Sequence, residues 1–410
     1  MPERLNICFI AKSFPILGRA SEHGFLWPIA KGLAQKGHKV TVLSWKTALA
    51  KEFIDQDGVQ AHFLGQGYYK APEEFPNYAF KKFQELHSQE AFHIVHSIDS
   101  CGLTIAENKK SHQVATAFDA DATHMSELFA IGAMSQETLS SMVRIALSIS
   151  VRYLITFLTQ DRKVIKYADG IFVTSPQQKL VLERYYMYPE RRTYVVPYGI
   201  EIGSLSQREK SEALRQKLNI PGNSNVVMTF TDMTEIEVIK NLLLSFEKVA
   251  IKKPSSRLII VGSGPLRKQI EFEMLNLALG GKVIFTGAVS NIEMADYISL
   301  SDVFVNLSSR TSGFEPTLLE AMAQKKVIIG SEVSPIANIV EDGIDGFLIR
   351  PADKQSLSKL IIQVFTGHIN SDDIGENARK KVVNLFDLEK MLKQTLDAYQ
   401  RILSHSGLYK

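Results

Sequence analysis

The sequence predicts an α/β protein built from two doubly wound domains. Strand and helix patterns alternate through the first half of the 410 residues, and a second series of the same kind begins near Asn225. Strands separated by helices imply parallel sheets with helices on both faces. The chain is also too long for one ordinary hydrophobic core, so two domains are expected.

The first series opens with an apolar strand in LNICFIA, an amphipathic helix in HGFLWPIAKGLAQKG and a β-branched strand in HKVTVLSW. Further strands are predicted in FHIVHSI, HQVATAFD and DGIFVTS. The most apolar segment, SMVRIALSISVRYLITFLTQ, is interrupted by Arg144 and Arg152 and falls short of the roughly 18 uncharged apolar residues of a membrane span. We interpret it as a core helix, with a helix lying on a membrane surface as the alternative.

The second series predicts strands in NVVMTFTD, SRLIIVGSG, KVIFTGAV, DVFVNLSS, KVIIGS and GFLIRPAD, with a helix in KNLLLSFEKVAIKKP after the first of them. The join lies in VVPYGIEIGSLSQREKSEALRQKLNIPGNSN, which is rich in glycine and proline. We therefore expect a first domain over 1–200, a second over 201–385, and a helix over 386–410 that crosses back to the first domain.

Composition narrows the class of protein. Hydrophobic residues make up 45% and charged residues 22%, as in a folded globular protein, and the net charge of +3 gives no indication of nucleic-acid binding. Cys8 and Cys101 fall in apolar segments and suit a reducing compartment. The N-terminal apolar run is too short for a secretory signal. We expect a cytoplasmic protein, with a peripheral position at the inner face of the membrane as the open alternative.

The stretch SGFEPTLLEAMAQKKVIIGS, Ser312 to Ser331, carries the main candidate site. Pro316 suits the first turn of a helix, whose early amides, including those of Thr317 and Leu318, would face the carboxyl end of the preceding strand. Such amides attract phosphate. Glu320 could accept hydrogen bonds from both hydroxyls of a ribose, or simply favour the helix dipole.

Two glycine loops are further candidates for contact with phosphate. Gly262 and Gly264 follow a strand of Ile and Val in VGSGPL, and Gly287 ends the next strand in FTGAVS. Glycine allows a close approach of the backbone to a ligand. The alternative is that each is an ordinary strand-to-helix turn, because VGSGPL does not match G-x-G-x-x-G.

Several stretches resemble the retaining glycosyltransferases of family 4. They are SGFEPTLLEAMAQKKVIIGS, LIIVGSGPLRKQIE, EDGIDGFLIRPAD, GENARKKVVNLFD, SFPILGRASEHGFLWPIAKGLAQKGHKVTVLS, YADGIFVTSPQQKLVLERY and YVVPYGIE. The resemblance covers nearly the whole chain. It implies the GT-B fold, in which two Rossmann-like domains face a central cleft. It also implies transfer of a sugar from a nucleoside diphosphate sugar to a glycan or lipid-linked acceptor, with retention of configuration and without a metal.

The same resemblance assigns roles to individual residues. Glu320 would hold the ribose, and Gly18 in the first loop would let the backbone approach the donor phosphates. Thr317 and Leu318 would supply amides. Ser312 stands where the family has a glutamate that contacts the donor sugar. Glu315, three residues further on, is the candidate carboxylate for that role, or else a charge that favours the helix dipole.

The family's basic pair for the diphosphate is replaced. Met233 and Val238 occupy the two positions, and Lys240 takes the role only with a register shift of about two residues. The alternative is that Lys240 is an ordinary lysine at the start of a helix. The loop also carries three acidic residues that would repel phosphate: Asp232, Glu235 and Glu237.

In the first domain, Phe118 stands where the family often has a histidine, in the stretch FDAD. Asp119 and Asp121 lie beside it. His124 could return to the cleft after one helical turn, although a lone histidine there is more often an ordinary surface or core residue.

The leading hypothesis is a glycosyltransferase of the hexosyltransferase type in envelope or extracellular polysaccharide synthesis. The alternative is a GT-B protein that has lost catalysis and acts as a partner- or ligand-binding module. A sugar-nucleotide epimerase ranks behind both. An NAD-dependent dehydrogenase is disfavoured, because AKSFPILGRA lacks the glycine fingerprint for a dinucleotide.

Overall fold

The structure is a computed structural model that describes residues 2–14, 25–46, 51–67, 73–120, 123, 147, 150–151, 154–155, 157–204, 208–308, 316–333, 336–350 and 352–408. Within these residues the chain forms two largely parallel sheets with helices packed against them. The predicted α/β class with two doubly wound sheets is therefore confirmed.

The first sheet has the strand order β3-β4-β2-β1-β5-β6-β7-β8. Among its described strands, β3 runs antiparallel to β4 and the other neighbours are parallel. The strands are β1 (Asn6–Ala11), β2 (Lys39–Trp45), β3 (Phe53–Gln56), β4 (Val59–Leu64), β5 (Ile94–Ser97), β6 (Ala115–Asp119), β7 (Gly170–Val173) and β8 (Thr193–Val195). Its helices are α1 (Leu26–Gln35), α2 (Phe75–Gln89), α3 (Leu103–Glu107), α4 (Lys109–His112), α5 (Arg162–Tyr167) and α6 (Pro176–Tyr185). The direction of winding changes between β1 and β5.

The β3–β4 hairpin was not expected from the sequence. Its two-residue turn consists of Asp57 and Gly58, with φ values of 52° and 82°. Asp-Gly is a strong signal for a tight hairpin, because both central residues of such a turn need positive φ. The signal was present in FIDQDGVQAHFL.

The second sheet is parallel throughout its described strands, in the order β11-β10-β9-β12-β13-β14. The strands are β9 (Val226–Phe230), β10 (Arg257–Val261), β11 (Val283–Gly287), β12 (Val303–Asn306), β13 (Val327–Ser331) and β14 (Phe347–Ile349). Its helices are α7 (Glu212–Lys217), α8 (Ile236–Lys252), α9 (Arg267–Asn276), α10 (Asn291–Leu300), α11 (Thr317–Ala323), α12 (Lys354–Phe365) and α13 (Ser371–Leu385). Numbered within the domain, this order is 3-2-1-4-5-6, that of nucleotide-binding domains, with its switch point between β9 and β12.

A last helix, α14 (Leu388–Ser406), packs against α1 and β6 of the first domain. The chain crosses between the domains twice at one place, where the amide of Ile200 donates to Phe386 O at 2.9 Å and the amide of Leu388 donates to Ile200 O at 3.0 Å. A side chain at Gly32 of α1 would collide with Leu392, because its Cβ would lie 2.5 Å from a leucine methyl. The helix is thus seated closely in the first domain.

The apolar side chains that the structure describes in the segment before α5 do not pack in the core. Leu147, Val151, Leu154, Ile155 and Leu158 are between 51% and 65% exposed. The expectation of a core helix is therefore wrong for these residues. Phe157–Asp161 forms a π-helical turn that leads directly into α5. In the part of the chain that the structure describes, no helix is both long and apolar enough to cross a bilayer.

Candidate functional site

The switch point of the second sheet is bridged by an acidic side chain. Glu235, at the start of α8, accepts a hydrogen bond at 3.3 Å from the Oγ of Ser308, which follows β12. The amide of Ser308 in turn donates to Ser331 Oγ at the end of β13, at 3.0 Å. The described side chains at the crevice where such sheets bind ligands therefore include hydroxyls and a carboxylate.

Helix α11 is buried over its whole length, and it carries Glu320 in its first turn. Glu320 is 9% exposed, and its amide donates to Pro316 O at 3.1 Å. Leu318 packs its side chain in the hydrophobic core, so only its backbone is available to a ligand. Thr317 is likewise fully buried. A carboxylate this buried needs polar partners, and Glu320 already has an interaction within the protein, so its position suits a structural role as well as a binding role.

Met233, the first residue at the family's basic positions, lies in the hydrophobic core. Its side chain is 0% exposed and packs in a cluster that includes Ile239 and Ile270. Its φ is 52°, and its carbonyl accepts a hydrogen bond from the amide of Leu266 at 3.2 Å. Val238 is half-buried in the first turn of α8. Packing thus explains the apolar residue at position 233.

The glycines of VGSGPL allow two loops of the protein to approach each other. A Cβ at Gly262 would lie 2.0 Å from the carbonyl oxygen of Thr231, and a Cβ at Gly264 would lie 1.7 Å from that of Asp232. Gly262 also has a φ of +118°. Gly287, with a φ of +73°, accepts a hydrogen bond from the amide of Gly262 at 2.9 Å. The three glycines therefore join the β9, β10 and β11 ends into one platform.

Two basic side chains lie near this platform, and both are paired. Lys240 forms an ion pair with Glu273 of α9 at 3.4 Å and is 38% exposed. Arg267 stacks over the ring of Phe285 and donates from Nε to Glu271 at 2.8 Å. Its guanidinium would lie 3.7 Å from a Cβ at Gly287. Sequence analysis did not single out Arg267, since its place beside β11 depends on long-range packing.

The carboxyl edge of the first sheet contains a buried chain of hydrogen bonds. His96 Nε2 lies 3.0 Å from Asp119 Oδ1, and His96 Nδ1 lies 2.7 Å from the Tyr399 hydroxyl of α14. An ionised carboxylate only accepts, so His96 donates to Asp119 and, as a neutral ring, accepts from Tyr399. Burial, with the negative charge of Asp119, raises the pKa of the Tyr399 hydroxyl well above its ordinary value.

The histidine at this edge therefore comes from β5. Phe118 is 1% exposed and packs in a cluster with Val164 and Ile171, so it faces away from His96. His96 is itself 3% exposed and held from both sides. The sequence pattern did not reveal His96, because its partner Tyr399 lies 303 residues away.

A small cavity of about 30 Å³ adjoins this chain of hydrogen bonds. Its lining includes Asp119, Thr174 and Tyr198 from the first domain and Thr395 from α14. The Oγ1 of Thr395 is buried and makes no hydrogen bond to any described residue. A volume of this size accommodates a water molecule, which needs about 10–15 Å³ and two to four polar partners.

Other predicted site residues lie outside the described residues. They are Gly18, Asp121, His124, Ser312 and Glu315. Within the described ranges, no three His, Cys, Asp or Glu side chains group as ligands for a metal ion. Cys8 and Cys101 are buried and unbridged, and burial raises the pKa of both thiols.

The fold and the crevice together define a class of protein. Two doubly wound domains, a double crossover between them and a polar crevice at the switch point define a two-domain α/β protein whose second sheet has the strand order of nucleotide-binding domains. Two family models match the chain. Glycosyl transferases group 1 matches residues 210–381, and Glycosyltransferase Family 4 matches residues 25–203. The chain belongs to the family 4-like glycosyltransferases of the GT-B fold.

Solved structures of glycosyltransferases share the fold across the whole chain. Sucrose-phosphate synthase from Thermosynechococcus elongatus superposes with a TM-score of 0.78 at 20% identity, covering 98% of this chain and 100% of that one. Anabaena Alr3699/HepE in complex with UDP and glucose gives 0.67 at 18% identity, covering 96% and 99%. The two Rossmann-like domains therefore face a central cleft, as the GT-B fold requires.

Curated relatives match over shorter stretches. N-acetyl-alpha-D-glucosaminyl L-malate synthase of Bacillus anthracis is 24% identical over 231 residues, which is 56% of this chain and 60% of that protein. Alpha-monoglucosyldiacylglycerol synthase of Streptococcus pneumoniae is 27% identical over 203 residues, 48% of this chain and 44% of that protein. The chain thus spans about half the length of these relatives.

Proposed function

We propose that this protein transfers a sugar from a nucleoside diphosphate sugar to a glycan or lipid-linked acceptor, with retention of configuration. The observation that carries the proposal is Glu320, a carboxylate 9% exposed in the first turn of α11, in a sheet with the strand order of nucleotide-binding domains. A carboxylate there suits the two hydroxyls of a ribose. The biological setting we propose is synthesis of an envelope or extracellular polysaccharide.

UDP-sugars are the first donors to consider. The Anabaena protein of similar fold was solved in two complexes, one with UDP and glucose and one with UDP-glucose. The name of one relative contains a glucosylated diacylglycerol, and that of another a glucosaminyl malate. These names support a hexose or hexosamine donor and keep both lipid and small polar acceptors in consideration.

In the reaction, the bond between the anomeric carbon and the diphosphate oxygen breaks. A bond to the acceptor oxygen forms on the same face of the sugar, and the acceptor proton leaves with the diphosphate. The charge that develops on the diphosphate must be stabilised. Lys240 would do this by leaving Glu273, a pair that is partly exposed and so costs little to break.

The chain's own residues explain why a weak phosphate clamp is expected. Met233 is in the core, and Glu235 places a negative charge at the crevice. We propose that backbone amides and Lys240 hold the diphosphate without a metal ion. Turnover should then be unchanged by EDTA, whereas a metal-dependent reaction would stop and recover on addition of Mn²⁺ or Mg²⁺.

Isothermal titration with UDP, GDP and their common sugar conjugates tests the proposal. Glu320→Gln should weaken binding of the preferred nucleotide by about tenfold or more, since hydrogen bonds to a charged group contribute roughly 1.5–3 kcal/mol each. Glu247→Gln, on α8 of the same domain, is the matched control and should bind as the wild type does. Equal binding by the Glu320 variant would remove Glu320 from the donor site.

A second candidate function is a GT-B protein without catalysis that binds a partner or ligand. It is favoured by Met233 and Phe118, which fill the core at two of the family's functional positions. Absence of binding to every nucleotide and sugar nucleotide, by a protein with a normal unfolding transition, would support this alternative. Binding of one base followed by turnover of its sugar conjugate would reject it.

A further inference from the structure

We infer that the cavity of about 30 Å³ beside His96 is a binding site for ordered water, and that this water fastens α14 to the first sheet. The inference rests on three polar groups in the lining of the cavity, one on α14, one on β6 and one on α6. It goes beyond sugar transfer, because it concerns the interior of the first domain and can be tested without any nucleotide or acceptor.

The group on α14 is the hydroxyl of Thr395. The residue is 1% exposed and lines the cavity, and its Oγ1 makes no hydrogen bond to any described residue. A threonine in the middle of a helix often donates to the carbonyl one turn earlier, which here is that of Met391, but this bond is not made. Buried hydroxyls in native proteins are nearly always hydrogen-bonded. Thr395 therefore requires a partner inside the cavity.

The group on β6 is the second oxygen of Asp119. Its Oδ1 accepts from His96 Nε2 at 3.0 Å, whereas Oδ2 has no hydrogen bond within the described part of the chain. His96 is itself held by the Tyr399 hydroxyl at 2.7 Å, which fixes the orientation of the ring and so of the carboxylate. Both oxygens of an ionised carboxylate accept hydrogen bonds. Asp119 thus presents a charged acceptor at the wall of the cavity.

The group on α6 is the amide nitrogen of Gln178. Its Oε1 accepts from the backbone amide of Thr174 at 2.8 Å and lies 3.0 Å from the Thr174 hydroxyl. A backbone N–H only donates, so the oxygen of the side-chain amide must face Thr174 and Nε2 must face the other way. Nε2 has no hydrogen bond to a described residue, although Gln178 is only 9% exposed. It is the donor that the cavity offers.

This set of groups selects water over other occupants. A buried water molecule makes roughly three hydrogen bonds, and it both donates and accepts. It can donate to Asp119, accept from Gln178 and bond to the hydroxyl of Thr395. A cation needs acceptors alone, so the NH₂ group of Gln178 opposes it. An organic ligand is excluded by size, since pockets for such ligands measure about 300–1,000 Å³.

The site adjoins the place where the chain crosses between the domains. Tyr198 and Met391 also line the cavity, and Met391 Sδ accepts a hydrogen bond from the amide of Gly199 at 3.0 Å. Water bonded to both Thr395 and Asp119 joins the returning helix to β6 beside this crossing. It therefore strengthens the seat of α14, to which the direct contact between His96 and Tyr399 also contributes.

Thermal unfolding of Thr395→Val tests the inference through the sign of the change. Valine keeps the shape of threonine and removes the hydroxyl. Loss of a water-mediated bond should lower the melting temperature by about 2–4 °C. A hydroxyl with no partner at all would give the opposite result, because its removal relieves a buried unsatisfied group. An unchanged or raised melting temperature would therefore overturn the inference.

Tyr194→Phe is the matched control. The Tyr194 hydroxyl is also buried without a hydrogen bond to any described residue, but Tyr194 does not line this cavity. Its removal should not lower the melting temperature. Thr395→Val should also speed hydrogen exchange in α14 while leaving exchange in α9 of the second domain unchanged, since the water acts on the seat of α14 alone.

A double-mutant cycle tests whether Thr395 and Asp119 share the water. The two side chains make no direct hydrogen bond, so shared water should make the loss in Thr395→Val/Asp119→Asn smaller than the sum of the two single losses. Additive losses would contradict the bridge. A crystal structure of the full chain should show water within hydrogen-bonding distance of Thr395 Oγ1, and its absence would overturn the inference. A melting temperature higher in NaCl or KCl than in choline chloride of equal ionic strength would assign a cation instead and also overturn it.

Discussion

Met233→Arg tests whether the replaced basic position can be restored. The substitution returns the charge that the family resemblance expects at the end of β9. In this structure, however, the side chain is 0% exposed and belongs to the core beneath α8 and α9. The variant therefore distinguishes two explanations of Met233: that the position has only lost its charge, or that its side chain now has a packing role.

The magnitude follows from the burial. Removing a fully buried methionine side chain from the core costs about 1.5–3 kcal/mol. Placing an uncompensated charge there costs several kcal/mol more, of the order of the 3–5 kcal/mol seen when a buried ion pair loses one partner. We expect Met233→Arg to lower the free energy of unfolding by about 4 kcal/mol or more. Met233→Leu, which keeps the volume, should cost less than about 1.5 kcal/mol.

Urea unfolding followed by far-UV circular dichroism measures both changes. Both tryptophans, Trp27 and Trp45, lie in the first domain, so tryptophan fluorescence would report on the wrong part of the molecule. Titration with UDP accompanies each variant. An arginine variant as stable as the wild type, with tighter UDP binding, would show that position 233 reaches the crevice and would refute the packing argument.

Three further substitutions follow from the structure. Gly264→Ala should destabilise the protein far more than Gly287→Ala in thermal unfolding. A Cβ at position 264 would lie 1.7 Å from a carbonyl oxygen, whereas a Cβ at position 287 has space and is disfavoured only by the positive φ of 73°. Equal losses of stability would contradict the close approach of the loops. Tyr399→Phe should cost about 1–3 kcal/mol in urea unfolding, since it leaves buried His96 without its hydroxyl donor; no loss would argue against the hydrogen bond. Burial, together with the nearby positive charge of Lys210, lowers the pKa of Lys326 to about 8. The unfolded chain holds this proton up to about pH 10.4. The stability of the native state should therefore rise with pH between about 8 and 10.4 relative to Lys326→Met. Parallel pH profiles of the two proteins would exclude that effect.

Much of the fold could be predicted because its signals are local. Apolar strands such as Asn6–Ala11 and Val327–Ser331 are continuous in sequence, and parallel strands buried on both faces need no alternation. The start of α8 was placed too late, at Lys240 rather than Ile236. Ile239 belongs to the buried stripe of that helix, so the apolar pattern already pointed to the earlier start.

The site could be predicted only in part, because its chemistry depends on contacts distant in sequence. In the sequence, Met233 looks like a loop residue. In the folded structure, the loop after β10 covers it. The structural role of His96 depends on its contact with Tyr399, and that of Glu235 depends on its contact with Ser308 across the switch point. The exposed apolar side chains described between residues 147 and 158 were assigned to the core, since periodicity shows that a helix has an apolar face but not what that face contacts.

The return of α14 to the first domain has a consequence for how the protein is made. The ribosome synthesises the first domain, then the whole second domain, and only afterwards the helix that carries Leu392, Tyr399 and Ile402 into the first. Until then His96 lacks its hydroxyl partner, and the groove of α1 at Gly32 has no leucine to fill it. Domains usually complete themselves in the order of synthesis. Here the core of the earlier domain is completed only after the later domain has been synthesised, so the nascent chain exposes this seam while the second domain is being made.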